Sequence, residues 1–124
     1  MAIRLLHLGL PVRDEGRSLR FYDTYFGFDP GGARRYPDGT VIVRNVDGFD
    51  LALHPGEVPD RLPSFLHFGF QLPGADAVHE LLARMEADGV EIPERWDEPG
   101  HVSFKCLDPD GWVVEVYWET VNRP

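Results

Sequence analysis

Two stretches of this chain set an ionisable ring in the same local context. HLGLPV (His7 to Val12) and HFGFQL (His67 to Leu72) both read histidine, apolar, glycine, apolar, any residue, aliphatic. Alternation of period two makes each a strand headed by an imidazole, a group that exchanges protons near neutrality and, when neutral, binds metals. Carboxylates occupy the closing strand of each half. Aligning FDLALH (Phe49 to His54) with VEVYWE (Val114 to Glu119) matches Asp50 to Glu115, so two imidazoles and two carboxylates converge on one axis. Glu115 lies among Val113, Val114, Val116 and Trp118, where burial without a counter-charge costs several kcal/mol.

The elements that must position these groups follow the same order twice. Ile3, Leu5, His7 and Gly9 fall on one face of a first strand, with Leu6, Leu8 and Leu10 on the other. Asp14 can cap a helix carrying Leu19, Tyr22 and Phe26, with Gly27 as its stop. Extended runs follow over 33–36, 40–46 and 49–54, punctuated by the turns PDG (37–39) and VDG (46–48). After a Pro-rich connection (55–63) come a strand over 65–72 and a helix with Val78, Leu81, Leu82 and Met85 on one face, closed by Gly89. Runs over 91–95, 101–107 and 112–119 complete the second half, the last two joined by DPDG (108–111). The chain therefore reads as an α+β domain of two tandem strand–helix–strand–strand–strand modules, about 1–56 and 64–120, with a linker over 57–63. A helix covers one face of each small sheet, and the other face is buried by a partner or forms a cleft.

Composition bounds what such a domain does. At 124 residues and 43% hydrophobic it is one domain, or two small halves sharing a core. A single cysteine excludes an internal disulfide framework, and no secretory leader or long apolar run opens the chain, so we expect a cytoplasmic protein without a membrane partner. The formal charge of -9 argues against a grip on nucleic acid or anionic lipid.

The repeated strand, the stretch SLRFYDTYFGF (Ser18 to Phe28) and the closing LDPDGWVVEVYWE (Leu107 to Glu119) resemble, in order and spacing, the vicinal oxygen chelate superfamily. That group comprises glyoxalase I, bleomycin-resistance proteins, extradiol ring-cleaving dioxygenases and fosfomycin-resistance thiol transferases. The resemblance implies paired βαβββ modules curled into a U-shaped mixed-sheet cleft around a divalent metal, commonly in a homodimer that shares modules between chains. It also implies a ligand set of His7, His67 and Glu115, suited to Fe, Mn, Ni or Zn and leaving open positions for substrate oxygens. Glyoxalase I carries a glutamate as fourth ligand where this chain has Asp50, which is one methylene shorter and either reaches the metal or acts through a water. His54 shares the Asp50 face and either substitutes as ligand or lines the cavity as acid or base.

In HVSFKCLDPDG (His101 to Gly111), His101, Ser103 and Lys105 share one face and Val102, Phe104 and Cys106 the other. Ser103 matches the serine that fosfomycin-resistance enzymes present to the phosphonate. Those enzymes have a threonine in place of Gly9 and an aromatic in place of Lys105, which argues against fosfomycin itself. Ser103 and Lys105 are expected to bind an anionic or carbonyl-bearing group, with His101 or Tyr117 available for proton transfer; the alternative for Lys105 is extension into solvent. His79, Cys106, Arg34 and Arg35 read as an exposed helix residue, a packed thiol and two solvated charges.

The function expected from this reading is that of a metal-dependent enzyme acting on a small molecule with vicinal oxygens. It leans toward a glyoxalase-I-like lyase or isomerase, with a low-molecular-weight thiol as a possible cosubstrate. The alternatives are an extradiol-type dioxygenase and a metal-free, bleomycin-type drug-binding protein, for which an acidic chain has an electrostatic advantage.

Overall fold

β1 (His7–Val12) leads through Asp14 into α1 (Glu15–Phe26), and β2 (Arg34–Arg35), β3 (Val41–Arg44) and β4 (Asp50–Pro55) follow. The second half repeats the pattern with β5 (Phe68–Gln71), α2 (Ala75–Ala87), β6 (Glu94–Glu98), β7 (His101–Leu107) and β8 (Val113–Glu119). These elements come from a computed structural model that describes residues 1–120. The chain divides into two units, Met1–Asp60 and Arg61–Pro124. Each holds one four-stranded mixed sheet, ordered β1-β4-β3-β2 and β5-β8-β7-β6. The architecture is the expected α+β pair of βαβββ modules.

In the first unit the Asp14 carboxylate accepts the Arg17 N–H at 3.1 Å and fixes the start of α1. Gly27, at φ 70°, turns the chain out of the helix through a left-handed conformation that a side chain would penalise. α1 packs on β4, burying Leu19 and Tyr22 with Leu10, Val12, Val41, Val43, Leu51 and Leu53. In the second unit α2 packs on β7 and β8, and Val78, Leu81 and Met85 are buried with Phe104, Cys106, Val114 and Val116. Each such aliphatic or aromatic side chain contributes about 1.5–3 kcal/mol by leaving water. Alternation then sends the odd-numbered residues of β1, β5, β7 and β8 to the face away from the helix.

Several boundaries differ from the sequence expectation. β1 begins at His7, and Ile3 and Leu5 stay 88% and 85% exposed. The reason is ladder length: among the described residues the edge strand β1 pairs only with β4, which starts at Asp50, so none of them pairs with the segment before Leu6. The run expected over 91–95 moves to Glu94–Glu98, after Pro93, which cannot donate to a ladder. A 3₁₀ turn over Pro30–Gly32, held by the Asp29 carboxylate on the Gly31 N–H, had no counterpart in the sequence reading.

The most consequential difference is one of register. His7, Leu8 and Gly9 pair with Asp50, Leu51 and Ala52, whereas Gly69, the repeat of Gly9, pairs with Glu115. The residue of the first module equivalent to Glu115 is therefore Ala52, and the equivalence of Asp50 to Glu115 does not hold. Tyr117, partner of Gln71, has His54, partner of Pro11, as its counterpart.

Candidate functional site

Within the second unit, His67 and Glu115 meet. The ring Nε2 lies 3.5 Å from Glu115 Oε2, and Nδ1 lies 2.8 Å from the carbonyl oxygen of Phe65. A carbonyl only accepts, so Nδ1 carries a proton and the ring is turned with Nε2 toward the carboxylate. A proton on Nε2 makes this contact an ion pair, and a neutral ring leaves a lone pair facing the carboxylate, an arrangement that suits a shared cation. Donors that share one metal ion at about 2.1 Å each stand roughly 3–3.4 Å apart for octahedral or tetrahedral angles, close to the observed separation. A backbone carbonyl orienting a ligating imidazole through its other nitrogen is a common support of metal sites. Phe65 is aimed by an unusual backbone: its φ of 66° makes it the one non-glycine residue with positive φ among the described residues, a conformation that costs of order 1 kcal/mol or more.

Gly69 lets the site approach the strand closely. A Cβ there would come within 3.3 Å of the Tyr117 ring and 3.5 Å of the Glu115 Cβ. Register places Lys105 beside Glu115 and Ser103 beside Tyr117 on the same face, with His101 beside Glu119. Ser103 is buried at 8% exposure. Lys105 does not extend freely into solvent, because its ammonium meets Glu94 Oε2 at 2.7 Å. That contact, with a smaller contribution from the Lys105 charge, holds Glu94 below the usual carboxylate range. Cys106 is fully buried on the opposite face, and its thiol is pushed up to about 12, chiefly by burial and secondarily by the charge of Asp108. It is packing, not a nucleophile.

In the first unit His7 heads β1 with an exposed side chain. Its strand partner Asp50 is held by two guanidinium groups, Arg44 at 2.8 and 3.2 Å and Arg34 at 3.0 Å. The hydrogen bond from Arg44 is the main cause lowering the Asp50 carboxyl below its ordinary value. Arg34 is thus an ion-pair partner, and Arg35 likewise pairs with Glu15. His54, on the same face as His7, has its Nδ1 2.9 Å from Thr40 Oγ1. Its Nε2 lies where a Cβ on Gly9 would come within 3.1 Å. Among the described residues, no group of three or more His, Cys, Asp or Glu side chains is arranged to hold a metal ion.

Sequence reasoning missed three contributors here. The Phe65 carbonyl has no signal in sequence, since a bulky aromatic does not announce a left-handed backbone. Thr40 and Asp38 lay in PDGT, read only as a turn. The glycines of the two repeats were visible, but the rings lying over them were not.

The fold is a pair of βαβββ modules, with His67 and Glu115 brought together in the second. The chain belongs to the Glyoxalase/Bleomycin resistance protein/Dioxygenase superfamily, whose family model matches residues 4–116. It is 33% identical to the uncharacterized protein PA2024 of Pseudomonas aeruginosa, over 93% of this chain and 88% of that one. Among solved structures it is similar to a possible glyoxalase from Bacillus cereus, with TM-score 0.77 and 27% identity over 93% of this chain and 98% of that one. The fold is shared with the E126Q mutant of the fosfomycin resistance protein FosX from Listeria monocytogenes, with TM-score 0.80 and 21% identity over 98% and 96% of the two chains. That protein was crystallised with Mn(II) and 1S,2S-dihydroxypropylphosphonic acid.

Proposed function

We propose that this protein is a divalent-metal-dependent enzyme acting on a small molecule with two adjacent oxygens, the ion held by His67, Glu115 and His7. The observation that carries the reading is the His67–Glu115 pair: an imidazole oriented by the Phe65 carbonyl, with Nε2 3.5 Å from a carboxylate oxygen, close to the spacing of two donors on one ion. A divalent ion bound there by three protein groups leaves positions for substrate oxygens and supplies Lewis-acid polarisation. The Mn(II) of the FosX complex supports the class of ion. Ser103 and Tyr117 line the same face, and Lys105, already matched by Glu94, contributes little net charge for an anion.

His7 joins the set from a second copy. Both His-headed strands are edges of their sheets, and each is approached by exposed apolar residues, Ile3 and Leu5 before His7, Phe65 and Leu66 before His67. Such edges invite a partner. Asp50 is an ion-pair residue in this reading and Ala52 stands where a fourth carboxylate would be, so the set has three protein ligands. The glyoxalase-I-like lean that rested on Asp50 loses that support, while Lewis-acid chemistry on vicinal oxygens keeps it.

The test is titration of protein freed of metal with Mn, Ni, Zn and Fe(II), by calorimetry and elemental analysis. One ion per site is expected, with affinity falling at least about 100-fold in His67→Ala, Glu115→Gln and His7→Ala. The loaded protein is then offered the hemithioacetal of methylglyoxal and glutathione, fosfomycin with and without thiol, and catechol. No stoichiometric metal would instead favour a drug-sequestering protein.

A further inference from the structure

Charge is unevenly shared between the two units. The first holds seven of the twelve basic residues but only nine of the 21 acidic ones, so most of the net charge of -9 belongs to the second. On the open face of the second sheet Lys105 is matched one to one by Glu94. On the open face of the first, two guanidinium groups share one carboxylate. Arg44 gives Asp50 two hydrogen bonds, Nε to Oδ1 at 2.8 Å and Nη2 to Oδ2 at 3.2 Å. Arg34 gives it a single one, Nη2 to Oδ2 at 3.0 Å. Neither guanidinium has another acceptor among the described residues, so one positive charge and a set of N–H donors are left over. Those donors are accessible, because the Arg34 and Arg44 side chains are 50% and 60% exposed while Asp50 is 17% exposed.

Register fixes where this charge lies. Arg34 stands opposite Ile42, and Ile42 opposite Ala52, so to reach Asp50 on β4 the Arg34 side chain crosses β3 over the open face. Arg44 stands opposite Asp50, and Asp50 opposite His7. Neighbouring strands are about 4.8 Å apart, which puts the guanidinium pair one to two strand spacings, about 5–10 Å, from β1 where His7 stands.

We propose that Arg34 and Arg44 form an oxyanion-binding site for the carboxylate or phosphoryl group of a small ligand, with Asp50 as their shared counter-ion. The planar fork of a guanidinium matches two oxygens of such a group. The bound anion cancels the surplus charge and leaves Asp50 in place. An anion expected from the sequence beside Lys105 therefore goes to the first sheet, where the positive charge is not already matched. Combined with His7 as a metal ligand, the site defines a substrate class: a small molecule with two adjacent oxygens and an oxyanion a few bonds away. That placement rests on the metal-site reading above; the anion site does not.

Arginine Nε–H signals in ¹H–¹⁵N spectra of the protein without added metal, assigned with Arg34→Gln and Arg44→Gln, are followed as inorganic phosphate or acetate replaces chloride at constant ionic strength. Saturable shifts of Arg34 and Arg44 are expected. Arg34→Gln is expected to weaken phosphate binding about 10-fold or more and Arg34→Lys to lose less, while Asp50→Asn, which frees both forks, tightens it about 5-fold or more. Arg35→Gln, whose partner is Glu15, is the control and should bind as wild type does. Absence of a saturable shift with either anion, phosphate affinity indifferent to Arg34→Gln, or an Asp50→Asn variant that binds no tighter overturns the site and leaves a surface ion pair. With zinc loaded, glycerol 3-phosphate is expected to bind about 10-fold or more tighter than glycerol, and Arg34→Gln to abolish the preference. A preference that survives Arg34→Gln overturns the place of this anion site in the substrate site. Absence of zinc binding with the phosphate shifts intact overturns the metal-site reading and leaves the anion site standing.

Discussion

At the scale of single residues, the two aligned carboxylates have opposite fates. Glu115 faces the imidazole of His67, whereas Asp50 is bracketed by Arg44 and Arg34. The Asp50 pKa is depressed in the folded state. Its contribution to stability is therefore fully present above its unfolded value, near 3.8, and is lost as pH falls through the lower folded value. Asp50→Asn is expected to cost about 1 kcal/mol at neutral pH, because both arginines are half exposed or more. The difference from wild type should be flat between pH 5 and 8 in thermal melts and vanish in strong acid. Metal affinity should not change; a large loss would return Asp50 to the ligand set.

At the scale of elements, the helices hold the strands that carry the site. Asp14→Ala removes the cap of α1 and is expected to cost about 1 kcal/mol. Phe104→Ala opens the packing of β7 against α2 and is expected to cost about 3–5 kcal/mol. Urea denaturation checks both, and the order of the two effects is the informative result, since the cap bond is exposed and Phe104 is buried at 1%. The elements themselves were legible. Asp14 and Gly27 were read as cap and stop, and Val78, Leu81, Leu82 and Met85 as one apolar face, of which all but the half-buried Leu82 are buried, because propensity and period act over a few residues. Register was not legible. Sliding Asp50 against Glu115 by two residues preserves every inside–outside assignment, so alternation alone accepts either pairing.

For the whole molecule, the expectation concerns assembly. Replacing Ile3 and Leu5 with Asp removes two side chains that are largely exposed in the single chain, so a monomer's fold should tolerate the change. Sedimentation should show a dimer for wild type and a monomer for the double variant, with metal affinity falling in parallel. A monomeric wild type that binds metal fully would refute the shared site. No helix among the described residues is long and apolar enough to cross a membrane.

What the sequence determined by itself was the duplication, the α+β order of elements, the faces of the strands and the residue types available for chemistry. These follow from local period and composition, which need no knowledge of distant partners. Tertiary structure decided the pairing of Gly9 with Ala52, the double clamp on Asp50, the Glu94 partner of Lys105, the turn of Phe65 toward His67 and the tie of Thr40 to His54. Each is a non-local register, an ion pair or hydrogen bond between residues far apart in sequence, or a strained backbone angle. Such features depend on which segments meet in space, and a linear pattern does not encode that choice.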